Sequence, residues 1–235
     1  MSIGVQRVKA VLVTVVLIVA SVAAGPAAHA AGHTMIVTFI RHGQSTANAA
    51  GIVDTLVPGP DLTAMGEEQA QRVADELSVN HYDGVWASNM VRTQETAGPM
   101  SQTLNETISV LPGLREIDAG TNEGLPVATA PMNPAPGVWL DGKWNVLIPG
   151  AISGNEFEAR FNDAMNTIYR TGETNAVVFS HGLAIQYWVL MNVKNPNPAF
   201  RPEHTALRNT AHVVVSGSPA QGWTLVDWDV SPVSA

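Results

Sequence analysis

Two apolar runs rich in β-branched and aromatic residues, MIVTFI (35–40) and NAVVFS (175–180), each end on a histidine-glycine pair. Arg41, His42 and Gly43 follow the first, His181 and Gly182 the second. A continuous apolar run without polar alternation suits a strand buried on both faces, the position of a central strand in a parallel sheet. In open sheets of that kind ligands gather beyond the carboxyl ends of the strands. Two separate strand ends that both close on His-Gly therefore point to one polar site at one edge of a sheet.

The rest of the chain supplies the alternation such a sheet needs. TAMGEEQAQRVADELS predicts a helix with Thr63 as N-cap, acids in the first turns, and Met65, Ala70, Val73, Ala74 and Leu77 on its inner face. DGVWAS (83–88) predicts a second strand, with Ser88 capping a helix through Leu104; ISVLPGL predicts a third strand and a turn. Asn155 to Tyr169 has amphipathic helical spacing, LAIQYWVLMN predicts the helix after NAVVFS, and AHVVVSG with WTLVDWDV predicts two neighbouring closing strands. The expected fold is α/β, a three-layer α/β/α arrangement around a doubly wound, mostly parallel sheet. Between Gly120 and Gly154 the chain is rich in Pro and Gly, with Trp139 and Trp144, so residues 121–153 read as an irregular insert over the site.

Length and charge bound the function. With 235 residues, 46% of them hydrophobic and 14% charged, the chain can bury a full core and is expected to form one domain plus a processing segment. Residues 1–30 are that segment: two cations in MSIGVQRVK, the apolar AVLVTVVLIVASVAA, then GPAAHA ending small-x-small, the pattern of a secretory signal peptide cut after Ala30. An uncleaved anchor is the other reading of the same residues. The formal net charge of −8 becomes −10 once Arg7 and Lys9 leave, which argues against a nucleic-acid surface and leaves room for a small anionic ligand in a locally positive pocket. The chain has no cysteine, which excludes disulfides, thiolate nucleophiles and thiolate metal sites.

RHGQSTAN resembles the RHGxSxxN signature of the histidine phosphatase superfamily, also called the phosphoglycerate mutase-like family. Further segments follow in the family's order: DLTAMGEEQA, SNMVRTQETA, LREIDAGTNEG, SHG and RNTAHVVVSG. The resemblance runs from about Met35 to Ser216 and implies a phosphoglycerate mutase-like fold and phosphoryl transfer without a cofactor. It implies Glu116 as the general acid and base, and Asn48 as a phosphate contact. Where many members have a second glycine after SHG and then a basic residue, this chain has Leu183 and Gln186. Asn122 stands where they carry an aromatic.

The residues support that chemistry on their own terms. A transferring phosphoryl group spreads negative charge over three oxygens, so its site needs fixed cations around an in-line nucleophile. Arg41 and Arg92 offer planar forks that stay charged, His181 a further donor if protonated, and His42 a neutral imidazole able to form a labile phosphoramidate. Gly43 would let a ring nitrogen reach the nearby backbone, fixing the tautomer, and let phosphate approach closely. Gln44 and Ser45 share the loop. A metal site on His42 and His181 would lack a third ligand and face two repelling guanidiniums, so no metal is expected.

The expected activity is therefore that of an exported, metal-independent phosphomonoesterase working through a phosphohistidine. A mutase-type phosphotransferase and a non-catalytic phospholigand-binding protein are the alternatives. The insert offers Lys143 as its only cation, with Leu125, Val138, Trp139, Trp144, Val146 and Leu147 around it. It reads either as an apolar lid over the pocket or as a segment whose tryptophans pack it onto the domain. The expected partner is a small phosphomonoester, with no nucleic acid and no membrane span after cleavage; a homodimer stays open. The expected location is secreted or at the cell envelope.

Overall fold

The computed structural model describes residues 32–229. The leader expected over residues 1–30 lies outside the described residues.

Six strands form one sheet in the order β3-β2-β4-β1-β5-β6. Strands β1 (Met35–Arg41), β2 (Gly84–Ala87), β3 (Ile108–Val110) and β4 (Asn175–Ser180) run parallel, and β5 (His212–Ser218) and β6 (Gly222–Asp229) add antiparallel strands beside β1. The two His-Gly runs are adjacent strands: Arg41 sits beside Ser180 in the register, so both catalytic-looking tips leave the sheet side by side.

Period-2 alternation assigns each strand residue to one of two cores. Ile40, Val177 and Phe179 face α2 (Ala64–Leu77) and α3 (Val91–Leu104), packing on Val73, Ala97 and Met100. Phe39, Ala176 and Val178 face the other way, toward Phe157 and Phe161 of α5 (Gly154–Arg170) and Trp188 of α6 (Gly182–Asn192). Helices on both faces explain why β1 and β4 carry no exposed polar side: the layered α/β fold is the one expected. Short helices α1 (Thr46–Ala50) and α4 (Ala135–Trp139) lie in the connections.

Local details depart from the sequence reading in two places, and a third decides between readings left open. Met65 is 54% exposed; Gly66 takes the inner position, because α2 begins so close to the β1 loop that only glycine fits. Ser88 does not cap α3. Met90 occupies the N-cap position without a side-chain cap, and the Ser88 hydroxyl is drawn to His181 (2.8 Å). Trp139 is fully buried against Phe157 and Tyr187, its Nε1–H donating to Val146 O (2.8 Å), and Trp144 Nε1–H donates to Trp139 O (2.8 Å). Of the two readings of the insert, the structure takes packing for these tryptophans. Gly154 at the start of α5 makes room for them, since a Cβ there would lie 2.8 Å from the Trp139 ring.

Candidate active site

His42 leaves the end of β1 and is buried beside the β4 tip. Its Nδ1 lies 2.6 Å from Gly43 O. A carbonyl oxygen only accepts, so Nδ1 carries the proton and Nε2 holds the lone pair. Arg92 Nε–H donates to Nε2 at 3.1 Å, which requires the same tautomer. Burial first, then the charges of Arg41 and Arg92, hold the imidazole well below its ordinary range, outweighing the bond to Gly43. The ring is neutral at physiological pH, with its nucleophilic nitrogen aimed at a guanidinium.

The rest of the constellation comes from three distant elements. Arg41 ends β1, its Nη1–H held by Leu207 O (2.6 Å) and its Nε buried without a partner. Arg92, on the first turn of α3, is buried; its Nη2–H donates to Asp54 O (3.2 Å), while Nη1 stands 3.7 Å from the Asp54 carboxylate and makes no hydrogen bond. Two guanidiniums with unused buried donors, lining the same cavity as His42, form a receptor for a tetrahedral anion.

Glu116 approaches on the loop after β3. Its carboxylate accepts from Ile117 N (2.8 Å), Ala184 N (2.8 Å) and Leu183 N (3.3 Å), which fixes it at the N-terminus of α6. Arg160 of α5 sets that loop: its Nη atoms donate to Gly113, Arg115 and Glu116 carbonyls (2.9, 2.8 and 2.7 Å). Burial draws the Arg160 guanidinium down to about 10. Arg41, His42, Arg92, Glu116, Ser45 and Asn48 all line one cavity of about 390 Å³.

His181 is placed behind His42 rather than in the cavity wall, with ring centroids 5.2 Å apart at 61°. Its Nε2 bonds Ser88 Oγ and its Nδ1 is buried without a partner. Burial and then the surrounding charges, Arg92 foremost, hold it well below its ordinary range, so it is not the protonated donor the sequence offered. Gly43 and Gln44 are also not among the cavity's lining residues. A Cβ on Gly43 would lie 2.6 Å from Gly66 O, so the glycine admits α2 rather than phosphate. Gln44 joins the same contact, its Oε1 accepting from Thr63 Oγ1 (2.8 Å) and its N–H donating to Gln69 Oε1 (2.8 Å). Ser45 caps α1 in a reciprocal box with Asn48.

Two contributors escaped the sequence reading: Arg160, described above, and Asn209. Asn209 Nδ2 donates to His42 O (2.9 Å) and Asn48 Oδ1 (3.2 Å), joining the His42 backbone to the amide on the cavity wall. RNTAHVVVSG had marked its segment without giving it a role. Gln186 is buried and ties down the loop that holds Arg41: its Nε2 donates to Thr205 O (2.6 Å) and Phe200 O (3.2 Å), and its Oε1 accepts from Leu207 N (3.4 Å). Among the described residues, no group of three or more His, Asp or Glu side chains is arranged to hold a metal ion.

The sequence profile of the histidine phosphatase superfamily (branch 1) matches residues 37–231. The chain belongs to that superfamily. A PE-PGRS family protein of Mycobacterium tuberculosis, PE_PGRS11, is 40% identical over 224 residues, covering 86% of this chain; this chain spans only 38% of that relative's length. A Proteus mirabilis protein named "Probable phosphoglycerate mutase GpmB" is 30% identical over 198 residues, 80% of this chain and 90% of its own. Among solved structures, a mycobacterial glucosyl-3-phosphoglycerate phosphatase in complex with VO3 superposes with TM-score 0.69 at 22% identity, covering 84% of this chain and 100% of that one. The alpha-ribazole phosphatase of Shigella flexneri gives 0.64 at 22%, covering 83% and 96%. These structures share the fold of this histidine phosphatase superfamily member.

Proposed function

We propose that this protein is an exported, metal-independent phosphomonoesterase acting through a phosphohistidine. The observation that carries the reading is the His42 imidazole, neutral, proton on Nδ1, with Nε2 presented to Arg92 at 3.1 Å beside a cavity lined by Arg41 and Glu116.

An ester phosphate entering beside the two guanidiniums takes up the unused Arg41 Nε–H and Arg92 Nη1 donors and draws the Arg92 Nε–H away from His42, which frees the Nε2 lone pair to turn to phosphorus. The Nε2–P bond forms as the P–O ester bond breaks; the ester enters as its monoanion, hands its proton to Glu116, and the departing oxygen takes that proton from Glu116. Water then gives Glu116 a proton while its oxygen attacks phosphorus. The Nε2–P bond breaks, and inorganic phosphate leaves with His42 neutral again. Two arginines next to the nucleophile supply the positive charge that a metal would otherwise bring and repel a cation there. Hydrolysis is favoured over mutase transfer by the cavity wall. Among the described residues its only Lys or Arg side chains are Arg41 and Arg92, both assigned to the phosphate, which leaves a phosphoglycerate carboxylate without a guanidinium or ammonium partner on the wall. Export rests on the leader-like composition of residues 1–30.

The test is incubation of the purified protein with a phosphomonoester and chelator, with acid-labile phosphate measured on the chain. Turnover and labelling are expected in wild type, and neither in His42→Ala of unchanged circular dichroism. Full activity in that variant, or turnover only with a divalent ion, would overturn the reading.

A further inference from the structure

Several large apolar side chains left in water belong to the segments that build the wall of this cavity, while Ile36, Met65, Val79, Val110 and Val226 are exposed elsewhere. The cavity's outer wall is built by two segments hydrogen-bonded to each other. Val53 N–H donates to Leu125 O (2.9 Å), Gly124 N–H to Val53 O (3.0 Å) and Val127 N–H to Gly51 O (2.7 Å), and Ile52 bridges Pro126. Asn122 Nδ2 ties the second segment to its own continuation at Pro131 O (2.8 Å). On this ladder Leu125 and Val127 are exposed, the latter 61%, and Leu56 (61%) and Met132 (93%) are exposed on the continuations of its two segments. Leu183 is exposed on another part of the wall.

The apolar lining reaches the cavity's edge. Ile52, Val53 and Ile148 line the cavity, Val127 and Leu183 both line it and reach solvent, and the exposed Leu125 and Met132 flank the lining residues Val127 and Asn133 in the chain. Charge narrows the occupant further. Residues 42–59 and 116–142 hold no Lys or Arg, whereas Asp54, Asp118 and Glu123 lie in them. A leaving group with its own carboxylate or second phosphate would meet Asp54 and Asp118 on the cavity wall, while Arg115 and Lys143, which flank the second segment, are not among the lining residues and Arg115 is paired with Asp118 (3.1 Å). An anionic membrane surface would be repelled by the same acids and by the formal charge of −8.

We propose that the substrate is an amphiphilic phosphomonoester, a phosphate on an uncharged alcohol with a long alkyl or isoprenoid chain, which runs out of the cavity over Val127 and Leu183 onto the Leu125–Met132 rim. This rests on the phosphatase reading above and names the leaving group for it. Burying each methylene of the chain gains about a fourfold factor in kcat/KM where the wall covers it.

The experiment measures kcat/KM for ethyl, butyl, octyl and dodecyl phosphates below their micelle thresholds, with 3-phosphoglycerate alongside. Wild type and a Leu125→Ser, Met132→Ser double variant are compared; both positions lie outside the cavity wall and the catalytic set. A rise along the series in wild type, 3-phosphoglycerate at the bottom, and a dodecyl advantage cut about tenfold in the double variant with butyl phosphate unchanged are expected. A flat series with His42 still phosphorylated overturns this inference and leaves the phosphatase reading standing, as does 3-phosphoglycerate outperforming butyl phosphate. A rising series that the double variant does not alter overturns the assigned rim. Sedimentation of the protein with ester-free phosphatidylcholine vesicles, lost in the double variant while the series stays flat, makes the rim a membrane contact and overturns the proposal. No turnover and no phosphohistidine with any ester sinks the phosphatase reading itself.

Discussion

Acidification should unfold this protein through its two site histidines, and the size of the effect follows from their burial. His42 and His181 are both held well below the ordinary imidazole range in the fold, mainly by desolvation and then by the arginines around them. The unfolded chain takes up those two protons near pH 6.5, whereas the folded chain does not. Below that pH the unfolded state binds more protons, so stability rises with pH and is lost as pH falls. Each imidazole that stays neutral contributes about 1.4 kcal/mol per pH unit, and from pH 7.5 to 5.5 the pair together costs about 3 kcal/mol. Glu158, Asp54 and Glu173 act with the opposite sign, since burial raises their carboxyls and the fold then holds their protons more tightly than the open chain. Their influence belongs to the more acidic end of the range. Comparing variants removes it. Urea unfolding of wild type, His42→Gln, His181→Gln and the double variant at both pH values isolates each imidazole. Wild type should lose about 3 kcal/mol more across the window than the double variant, with each single variant between them. Equal losses in all four proteins would mean that the folded state protonates these rings, and the neutral nucleophile would fail with them.

Two further substitutions separate fold from chemistry. Gly43→Ala places a Cβ 2.6 Å from the Gly66 carbonyl, a backbone contact that no rotamer relieves; overpacking of this kind costs about 1–3 kcal/mol and should lower Tm by several degrees in calorimetry. Asn209→Ala removes the donors to His42 O and Asn48 Oδ1; losing one to two hydrogen bonds of about 1 kcal/mol each should lower Tm by a few degrees, and the loosened His42 backbone should lower kcat/KM by about tenfold.

The parts of this molecule legible in the sequence are those whose cause lies within a few residues. The unbroken apolar runs of β1 and β4 exist because both faces are covered, and the same fact places their carboxyl ends side by side. The bond of His42 to the neighbouring backbone is equally local, since Nδ1 reaches the next residue's carbonyl. Ser88 shows where local reasoning stops. A serine two or three residues before a helix is an ordinary cap by composition, but here its hydroxyl meets a histidine 93 positions away. Arg160 is likewise indistinguishable in sequence from a solvated arginine on an amphipathic helix, because the three carbonyls it binds come from a different connection. Trp139 reads as readily as a lid as a core residue. Only the approach of Gly154, which leaves the ring its space, decides between them.

The two glycines that follow the site histidines make the same point about shared geometry and unlike causes. Gly43 lacks a side chain because the backbone of α2 lies against it, with Gln44 and Gly66 in reciprocal contact. Gly182 lacks one because the Arg41 side chain passes it, 3.3 Å from where a Cβ would stand. One glycine brings a helix to the nucleophile's loop, and the other lets a strand-end guanidinium reach the site. The burial that depresses both imidazoles is produced by these same close approaches. A substitution that loosens either contact should therefore admit water to His42 and ease its protonation against the remaining charges of Arg41 and Arg92, so a pH–rate profile should show a larger loss of reactivity at mildly acidic pH than at neutral pH.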